Sequence, residues 1–472
     1  LSLSPHIVAK PPRLHDRGTP WPSPPLVLGQ LPCGGLALCL LTADGEIHVP
    51  SRPRLSAAAH PLRFPMFRFL ADNLRWLAAG FFLTFGSAFG QTWFISLSAR
   101  FIKDEYGLTD GSWGSLYTVA TLSSAALMFW RGSAADVVPL GRLAMLTAGV
   151  FAAAAIAMGL SHSIWLLGFS LFLLRFCGQG MFGHIAMTAI GRWFVASRGR
   201  AVAIVNLGYP ASEILLAATS VLLIDRLGWR TTWLVAGATI AVGILPTLTV
   251  LLSASRSPAA GNAAALRAGL GGKHWQRWDA IRHWLLPALL PALLTPGFIG
   301  TVVFFHQAHV AEVKGWKPVE MAPGFTAFAV VGTLASFVAG WAADRYGVHR
   351  LLPVLLVPIG IGIGLVGPAT HVSAWYVALG LVGMTMGIAS ALWGVLLPAV
   401  YGTEHLGSIR ALATTIMVFS TAIGPGLTGI LIDRGIDFPT QCSALAGWCG
   451  VVSVGAFVIE RRLARDMAAT AA

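Results

Sequence analysis

A short polar stretch that occurs twice constrains the fold of this chain more than any other feature of its sequence. The two copies occupy residues 132–142 and 340–350, and each separates two long apolar runs. Equivalent positions lie 208 residues apart, namely Gly132 and Gly340, Asp136 and Asp344, Arg142 and Arg350, and the Leu-Ile-Asp-Arg sequences at 223–226 and 431–434. Two unrelated short matches at one offset indicate a duplicated chain of two similar halves. We therefore interpret each copy as a tight turn between membrane helices.

Composition indicates that lipid is the solvent for most of the chain. Of the 472 residues, 56% are hydrophobic and only 11% are charged, and the mean hydropathy is +0.72. A soluble protein of this length carries a far more charged surface. The formal net charge is +13, but the basic residues stand singly at the ends of apolar runs, so we expect the lipid bilayer and not nucleic acid as a partner.

The sequence contains no pattern that is typical of a cofactor or metal site. The five cysteines form no CxxC or ligand-spaced group; they are Cys33, Cys39, Cys177, Cys442 and Cys449. There is also no GxxxxGK[ST] sequence for binding nucleotide phosphates. We expect no disulfide framework, no metal and no cofactor.

Residues 1–65 differ from the rest of the chain. They carry twelve of the 27 prolines, and their one apolar patch, 26–41, is interrupted and too short to span a bilayer. We expect this segment either to be disordered or to lie upstream of a true start at Met66. The second interpretation is favoured because Met66-Phe-Arg68 leads directly into the first long apolar run.

Twelve apolar runs follow, each long enough for the about 20 residues that cross a bilayer core as a helix. They are 74–100, 113–131, 142–160, 163–190, 200–224, 230–252, 283–311, 321–340, 350–368, 373–397, 409–432 and 438–459. The longest break, 253–282, is typical of a polar linker. We predict an all-α membrane protein of twelve transmembrane helices, with a six-helix half at 66–252, a cytoplasmic linker at 253–282, and a second six-helix half with a short cytoplasmic tail at 283–472.

The distribution of Lys and Arg predicts the orientation. From Met66 onward, 18 lie on the side that holds both termini, both polar turns and the linker, against 7 on the opposite side. Cytoplasmic loops carry the excess of basic residues. We therefore expect an inner or plasma membrane protein with both termini in the cytoplasm.

With this architecture the chain resembles the major facilitator superfamily of secondary transporters over residues 66–465. The resemblance is carried by the two Gly-x-x-x-Asp turns, by Arg175-Phe-Cys-Gly178-Gln-Gly180 and by Gly424-Pro425-Gly426. The family pattern for the turn is Gly-x-x-x-Asp-Arg-x-Gly-Arg-Arg. The second copy fits it with Asp344, Arg345, Gly347 and Arg350, whereas the first has Val137 in place of the Arg and its glycine delayed to Gly141.

The turns are candidates for a conformational switch. Glycine lets neighbouring helix ends approach, and an Asp there can cap a helix or pair with a cation in one of two states. The alternative is that these residues only keep the loop short. The candidate gating residues are Gly132, Asp136, Arg142, Gly340, Asp344, Arg345, Gly347 and Arg350.

Two stretches are similar to the monocarboxylate and oxalate/formate transporter branch of the superfamily. They are 305–316, which includes His306 and Gln307, and 401–410. The branch usually carries charge in helix 8 for binding its carboxylate, whereas 321–340 has no charged residue here. We expect His306 and Gln307 either to face an outer cavity or to form an interfacial belt with Trp316.

Two ionisable residues lie well inside apolar runs, Arg175 in helix 4 and Glu213 in helix 5. Each should face the bundle interior with a partner or water, because an unpaired charge in lipid is costly. Both lie about 20 Å from the same membrane face, at ~1.5 Å per residue, so they are close enough in level to form an ion pair. Their equivalents at an offset of 208 are Gly383 and Thr421, so the pair belongs to one half only.

Other polar residues share faces with these charges. Gln179 lies one turn from Arg175, and Asn206 lies two turns before Glu213. In helix 1, Thr84, Ser87, Gln91 and Ser98 form a stripe that is suited either to a wet pathway or to close packing. We expect the substrate and proton pathway to use Arg175, Gln179, Asn206, Glu213, Gln91, His306 and Gln307.

These observations predict a monomeric secondary transporter that moves a small solute by alternating access with proton coupling. A buried Arg and the resemblance favour a small, monocarboxylate-like organic anion. The alternative is a proton-driven efflux antiporter for hydrophobic or cationic compounds, with Glu213 as its main binding charge. We find no Ser/His pair or acidic metal cluster typical of a membrane enzyme.

Overall fold

The computed structural model describes residues 29–30, 36–37, 65–131, 138–194, 198–253 and 268–471. The chain divides into two compact units, Leu1–Pro65 and Met66–Ala472. In the first unit, strands β1 (Gly29–Gln30) and β2 (Leu36–Ala37) pair antiparallel, with Gly29 opposite Ala37. The predicted disorder of 1–65 otherwise concerns residues outside those described. Everything that follows concerns the second unit.

The second unit is helical. The helices of its first half are α1 (Pro65–Gly86), α2 (Thr92–Ser96), α3 (Ala99–Tyr106), α4 (Asp110–Arg131), α5 (Leu140–Gly159), α6 (Ile164–Leu174), α7 (Gly183–Trp193), α8 (Arg198–Asn206), α9 (Gly208–Ala238) and α10 (Leu245–Leu251). Short 3-10 or π-helical segments join several of them; they are Ser87–Gly90, Arg175–Phe182 and Thr239–Ile244.

The second half continues the helical pattern. Its helices are α11 (Arg277–Arg282), α12 (Leu285–Phe305), α13 (Gln307–Lys314), α14 (Pro318–Met321), α15 (Pro323–Tyr346), α16 (Val357–Val366), α17 (Ser373–Tyr401), α18 (Leu406–Asp433) and α19 (Phe438–Ala471). Two 3-10 segments, Leu270–Gly272 and Val348–Leu351, lie among them.

Within the described residues, eight helical stretches are long and apolar enough to cross a membrane. Each of the twelve predicted runs is largely helical, but one boundary differs. Predicted helices 5 and 6 lie within the helical stretch Gly199–Leu251 and are separated at Gly228, whose φ of 80° and ψ of 161° are not helical. Predicted helix 9 begins late, because turns precede the short apolar helix α16. The count of twelve therefore remains a prediction.

The exposed surface of the bundle is strongly apolar. Large hydrophobic side chains point outward along many helices, and Trp165 is 85% exposed and Val242 77% exposed. Water would penalise so much exposed apolar area, whereas lipid does not. The burial pattern therefore agrees with an integral membrane protein.

The repeat spacing of 208 residues recurs in three dimensions. Helix α3 ends at Gly107 with φ 61°, and α13 ends 208 residues later at Gly315 with φ 68°. The Ser96 hydroxyl donates a hydrogen bond of 2.6 Å to the backbone oxygen of Phe304, which is also 208 residues away. Equivalent positions of the two halves therefore touch, which places the approximate two-fold axis of the repeat beside Ser96 and Phe304.

Candidate functional site

The environment of Arg175 begins with a break in the first membrane helix. After α1 the backbone passes through a 3-10 turn to Gly90 and an extended Gln91 before α2 resumes. Gly90 lies against Gly178 of the π-helical segment, so closely that an added Cβ on Gly90 would be 2.7 Å from the Gly178 Cα. Glycine at both positions thus brings the broken end of helix 1 directly onto helix 4.

Arg175 is 1% exposed, and its side chain donates hydrogen bonds to atoms at this helix break. Its Nη1 donates to the Gly90 backbone oxygen at 3.0 Å and to the Thr92 Oγ1 at 3.4 Å, and its guanidinium carbon lies 5.2 Å from the centre of the Tyr117 ring. Its Nε and Nη2 are buried and have no hydrogen-bond partner among the described residues. A buried cation therefore presents one unoccupied donor edge.

The ion pair between Arg175 and Glu213 that the sequence allowed does not form in this conformation. Neither residue makes an ion pair within the described ranges, and the half-buried Glu213 side chain makes no hydrogen bond to another described residue. The physical reason is that the helix break supplies backbone and hydroxyl acceptors to Arg175 on the side of helices 1 and 2. Matching levels along two helices do not fix the direction of a side chain.

The other predicted pathway residues fall into two groups. Gln91, Gln179 and Asn206 are half-buried, and their side chains make no hydrogen bond to another described residue. In contrast, most of the helix 1 stripe serves packing: Thr84 donates to the Val205 oxygen at 2.6 Å, Ser87 donates to Thr84, and Ser98 accepts from Trp233. Close packing, the second interpretation of the stripe, applies to these three residues.

An aromatic layer separates Arg175 from the second half. The Tyr117 hydroxyl lies 2.7 Å from the Thr92 Oγ1, and the Tyr117 ring packs against Phe305 with 4.8 Å between centroids. Trp113 stacks on the same phenylalanine. A molecule bound at the free edge of Arg175 would therefore act on side chains that contact helix α12.

Hydrogen bonds join the halves at the end of the bundle where α4 begins, which we call the Asp110 end. Gln307 Nε2 donates to Ser96 Oγ at 2.7 Å and to the Trp93 oxygen at 3.2 Å, and Gln307 is buried. Thr109 Oγ1 and the Gly111 amide both donate to Asp433 Oδ2, at 2.8 and 3.1 Å. Gln307 thus joins the halves directly, a role that neither sequence interpretation had assigned to it.

A titratable cluster lies at the same end. The Asp110 carboxylate is 2.9 Å from Lys103 Nζ, 3.5 Å from His309 Nδ1 and 3.9 Å from His306 Nδ1. Burial raises the pKa of Asp110, but hydrogen bonds from His309 and Lys103 outweigh it and hold that pKa well below its usual value. Sequence reasoning missed Asp110, His309 and Lys103, and the only signal was the spacing of two histidines by three residues on one helix face.

The predicted gating turns lie at the other end, which we call the turn end. Gly132 and Asp136 fall outside the described residues. Arg142, Asp344, Arg345 and Arg350 are all exposed, and their side chains make no hydrogen bond or ion pair to another described residue. An added Cβ on Gly340 would meet nothing within 4 Å, whereas Gly347 ends α15 with φ 92°. The described side chains of the turns therefore make no bond between the halves in this conformation, and the switching role of the turns stays a prediction.

The chain is similar to monocarboxylate transporter 11 of Mus musculus, with 28% identity over 379 residues that cover 77% of this chain and 82% of the relative. It is 24% identical over 296 residues to the uncharacterized MFS-type transporter YcxA of Bacillus subtilis (strain 168), covering 58% of this chain and 68% of that protein.

Solved structures share the fold at lower identity. The nucleoside transporter NupG superposes with a TM-score of 0.60 at 11% identity, over 82% of this chain and 98% of that one. A bacterial homologue of the human lysosomal transporter Spinster, inward-facing and unoccupied, superposes with a TM-score of 0.59 at 16% identity, over 85% and 98%.

The sequence profile of the Major Facilitator Superfamily matches residues 80–425 and 307–466, which together span most of the helical unit. The apolar helices, the repeat and the structural likeness agree with that match. The chain therefore belongs to the Major Facilitator Superfamily of membrane transporters.

Proposed function

We propose that this secondary transporter moves a small, monocarboxylate-like organic anion by alternating access coupled to protons. One observation carries the proposal, namely the buried guanidinium of Arg175 with two donors that no described residue satisfies. An unmatched charge inside a membrane bundle is costly, so it is retained where a ligand or water completes it.

The geometry of the free edge fits a carboxylate. Nε and Nη2 lie on the same edge of the planar guanidinium group. This edge can donate two parallel N–H···O bonds to one carboxylate. Nη1, on the other side, is already held by the Gly90 oxygen, which orients the fork. Half-buried Gln91 and Gln179, on the adjoining helix segments, can supply further polar contacts. The resemblance to a protein named monocarboxylate transporter 11 supports the same substrate class.

Proton coupling, orientation and assembly complete the proposal. Glu213 is a candidate proton carrier because its carboxylate is half-buried and has no partner among the described residues. The excess of basic residues on the turn-end side supports a plasma membrane protein with cytoplasmic termini, and we propose that it works as a monomer.

A proton-driven efflux antiporter for hydrophobic or cationic compounds is the second candidate. The same unpaired Glu213 favours it, because a lone carboxylate in an apolar bundle suits a lipophilic cation. In that case Glu213 would hold the substrate and Arg175 would serve the scaffold.

Ligand-induced thermal stabilisation of the full chain in detergent separates the two candidates. A ligand that binds only the folded protein stabilises it by about 2.7 kcal/mol at a hundred times its Kd, which raises the melting temperature with concentration. We expect lactate or pyruvate to raise it for the wild type and for Glu213→Gln, and to have no effect on Arg175→Ala. Stabilisation by lipophilic cations alone, abolished by Glu213→Gln, would overturn the anion proposal.

A further inference from the structure

His306 occupies a fully enclosed position where the two halves meet. It follows α12, is 1% exposed, and its ring packs against Phe438 with 5.0 Å between centroids. Its Nε2 lies 2.8 Å from the Thr428 Oγ1 of α18. The Thr428 hydroxyl donates its own proton to the Gly424 oxygen at 2.8 Å, so it accepts from His306. His306 therefore carries a proton on Nε2.

The other ring nitrogen has no such partner. Nδ1 is buried without a hydrogen bond in the described part of the chain, and it faces Asp110 Oδ1 at 3.9 Å. That separation is longer than a hydrogen bond. In the neutral ring, Nδ1 is an acceptor that faces another acceptor, which leaves a place for one proton between the halves.

The surrounding charges decide whether the proton stays while this end is closed. Asp110 from α4 already pairs with Lys103 of α3 and contacts His309 of α13. The other two acids nearby are engaged elsewhere, Asp433 by Thr109 and Gly111, and Asp437 by Thr440. A charged His306 would thus be a second buried cation beside one carboxylate, and the enclosed site disfavours it.

We propose that His306 is a proton-binding site that controls the Asp110 end: the neutral ring holds the halves together, and protonation from the adjoining solution separates them. Opening admits water to the ring, which then takes a proton in the ordinary range of histidine. Closing returns that proton to the solution. The inference rests on the proposed function only in that opening and closing this end is a step of transport.

Protonation of Asp110 would also favour opening, but over a different pH range. Its carboxylate stabilises the closed end while ionised, and because its pKa is lowered, that contribution is lost only under more acid conditions than an ordinary carboxyl needs. His309 also contacts Asp110 across the interface, with 3.5 Å between its Nδ1 and the carboxylate. Opening near pH 6 is therefore assigned to His306.

The test measures a distance across the Asp110 end as a function of pH, without substrate. Spin labels on cysteines at Phe101 and Val313, which are exposed and lie on opposite halves, report the separation in the full chain in lipid nanodiscs, with Cys33 and Cys39 replaced by serine. We expect the population of molecules with the longer label distance to grow as the pH falls from 8 to 5. For one titrating group, the ratio of open to closed molecules changes by at most tenfold per pH unit.

Two variants identify the group. His306→Gln keeps a donor for Thr428 but takes up no proton, so its distances should not change between pH 8 and 5. His309→Gln is the matched control and should keep the wild-type response. An unchanged response in His306→Gln, or a response lost only in His309→Gln, would overturn the proposal.

Thr428→Ala gives an independent reading if His306→Gln does not fold. It removes the acceptor that holds the neutral ring, so opening should occur at higher pH; an unshifted profile would contradict the proposal. Because no substrate is present, this result stands apart from carboxylate binding. A pH response without carboxylate stabilisation would retain the proton site and reject the proposed substrate.

Discussion

The two ends of the bundle differ in how the halves meet. At the Asp110 end, hydrogen bonds, stacked aromatic rings and close backbone contacts join them. At the turn end, Asp344, Arg345 and Arg350 are exposed, and their side chains are bonded to no other described residue. The Gly-x-x-x-Asp turns thus lie at the end whose described side chains are not engaged in this conformation, while the engaged end includes Gln307 and Pro425 from other stretches that resemble the family. A transporter that alternates between two states needs each end to be joined in only one of them.

The largest predicted effect comes from disrupting the close contacts between the halves at the Asp110 end. An added Cβ on Gly114 would lie 2.3 Å from the Pro425 backbone oxygen, which cannot move independently of α18. Gly114→Ala should therefore disfavour this conformation by about 3 kcal/mol, roughly a hundredfold in the closed-to-open ratio, as measured by the label distance between positions 101 and 313.

Gly340 at the turn end is the matched control for that substitution. Its Cβ would meet nothing within 4 Å, so Gly340→Ala should leave the same distance unchanged. Equal effects of the two substitutions would mean that the ends do not differ as described.

A smaller effect is expected from the charge of Asp110. Asp110→Asn keeps the shape of the side chain but removes the negative charge that faces His309 of the other half, and it should favour opening by about 1–3 kcal/mol. In the wild type this contribution is present above about pH 4, the ordinary carboxyl value, and is lost as the pH falls through the lowered pKa of Asp110. Asp344→Asn, at the exposed turn, should not change the label distance at all.

The smallest effect concerns an ion pair within one half. Glu105 accepts from Arg230 at 2.5 Å and from Trp229 at 3.0 Å, and the hydrogen bond from Arg230 lowers the pKa of Glu105. Because the pair is partly exposed and screened, Glu105→Gln should reduce thermal stability by less than about 1 kcal/mol at neutral pH, and by less still as the pH falls through the lowered pKa. Its label distances should match the wild type, since both partners move together.

The repeat and the helical regions were predictable because periodic and duplicated patterns extend over many residues. The repeat offset of 208 residues also separates Ser96 and Phe304, which are joined by a hydrogen bond. The break before Gln91 was not predictable from its glycines, because glycine is frequent in membrane helices in general. The separation of helices 5 and 6 was predictable because the charges around Gly228 are typical of a loop, and the backbone is not helical at that residue.

Site residues were predictable where a charged side chain stood within an otherwise apolar run. Arg175 stands out as a cation within an apolar run, but its partner is a backbone oxygen freed by a helix break, which leaves no trace in the side-chain pattern. The cluster of His306 and Asp110 joins residues 196 positions apart in the sequence, and only the packing of the halves brings them together.

Counterflow in proteoliposomes tests the central claim most directly, that the free edge of Arg175 anchors a transported carboxylate. Vesicles loaded with unlabelled lactate or pyruvate should transiently accumulate the labelled anion when they contain the wild type or Glu105→Gln. Vesicles that contain Arg175→Ala should accumulate none. Unchanged carboxylate counterflow in Arg175→Ala, or counterflow of lipophilic cations alone in the wild type, would contradict the account.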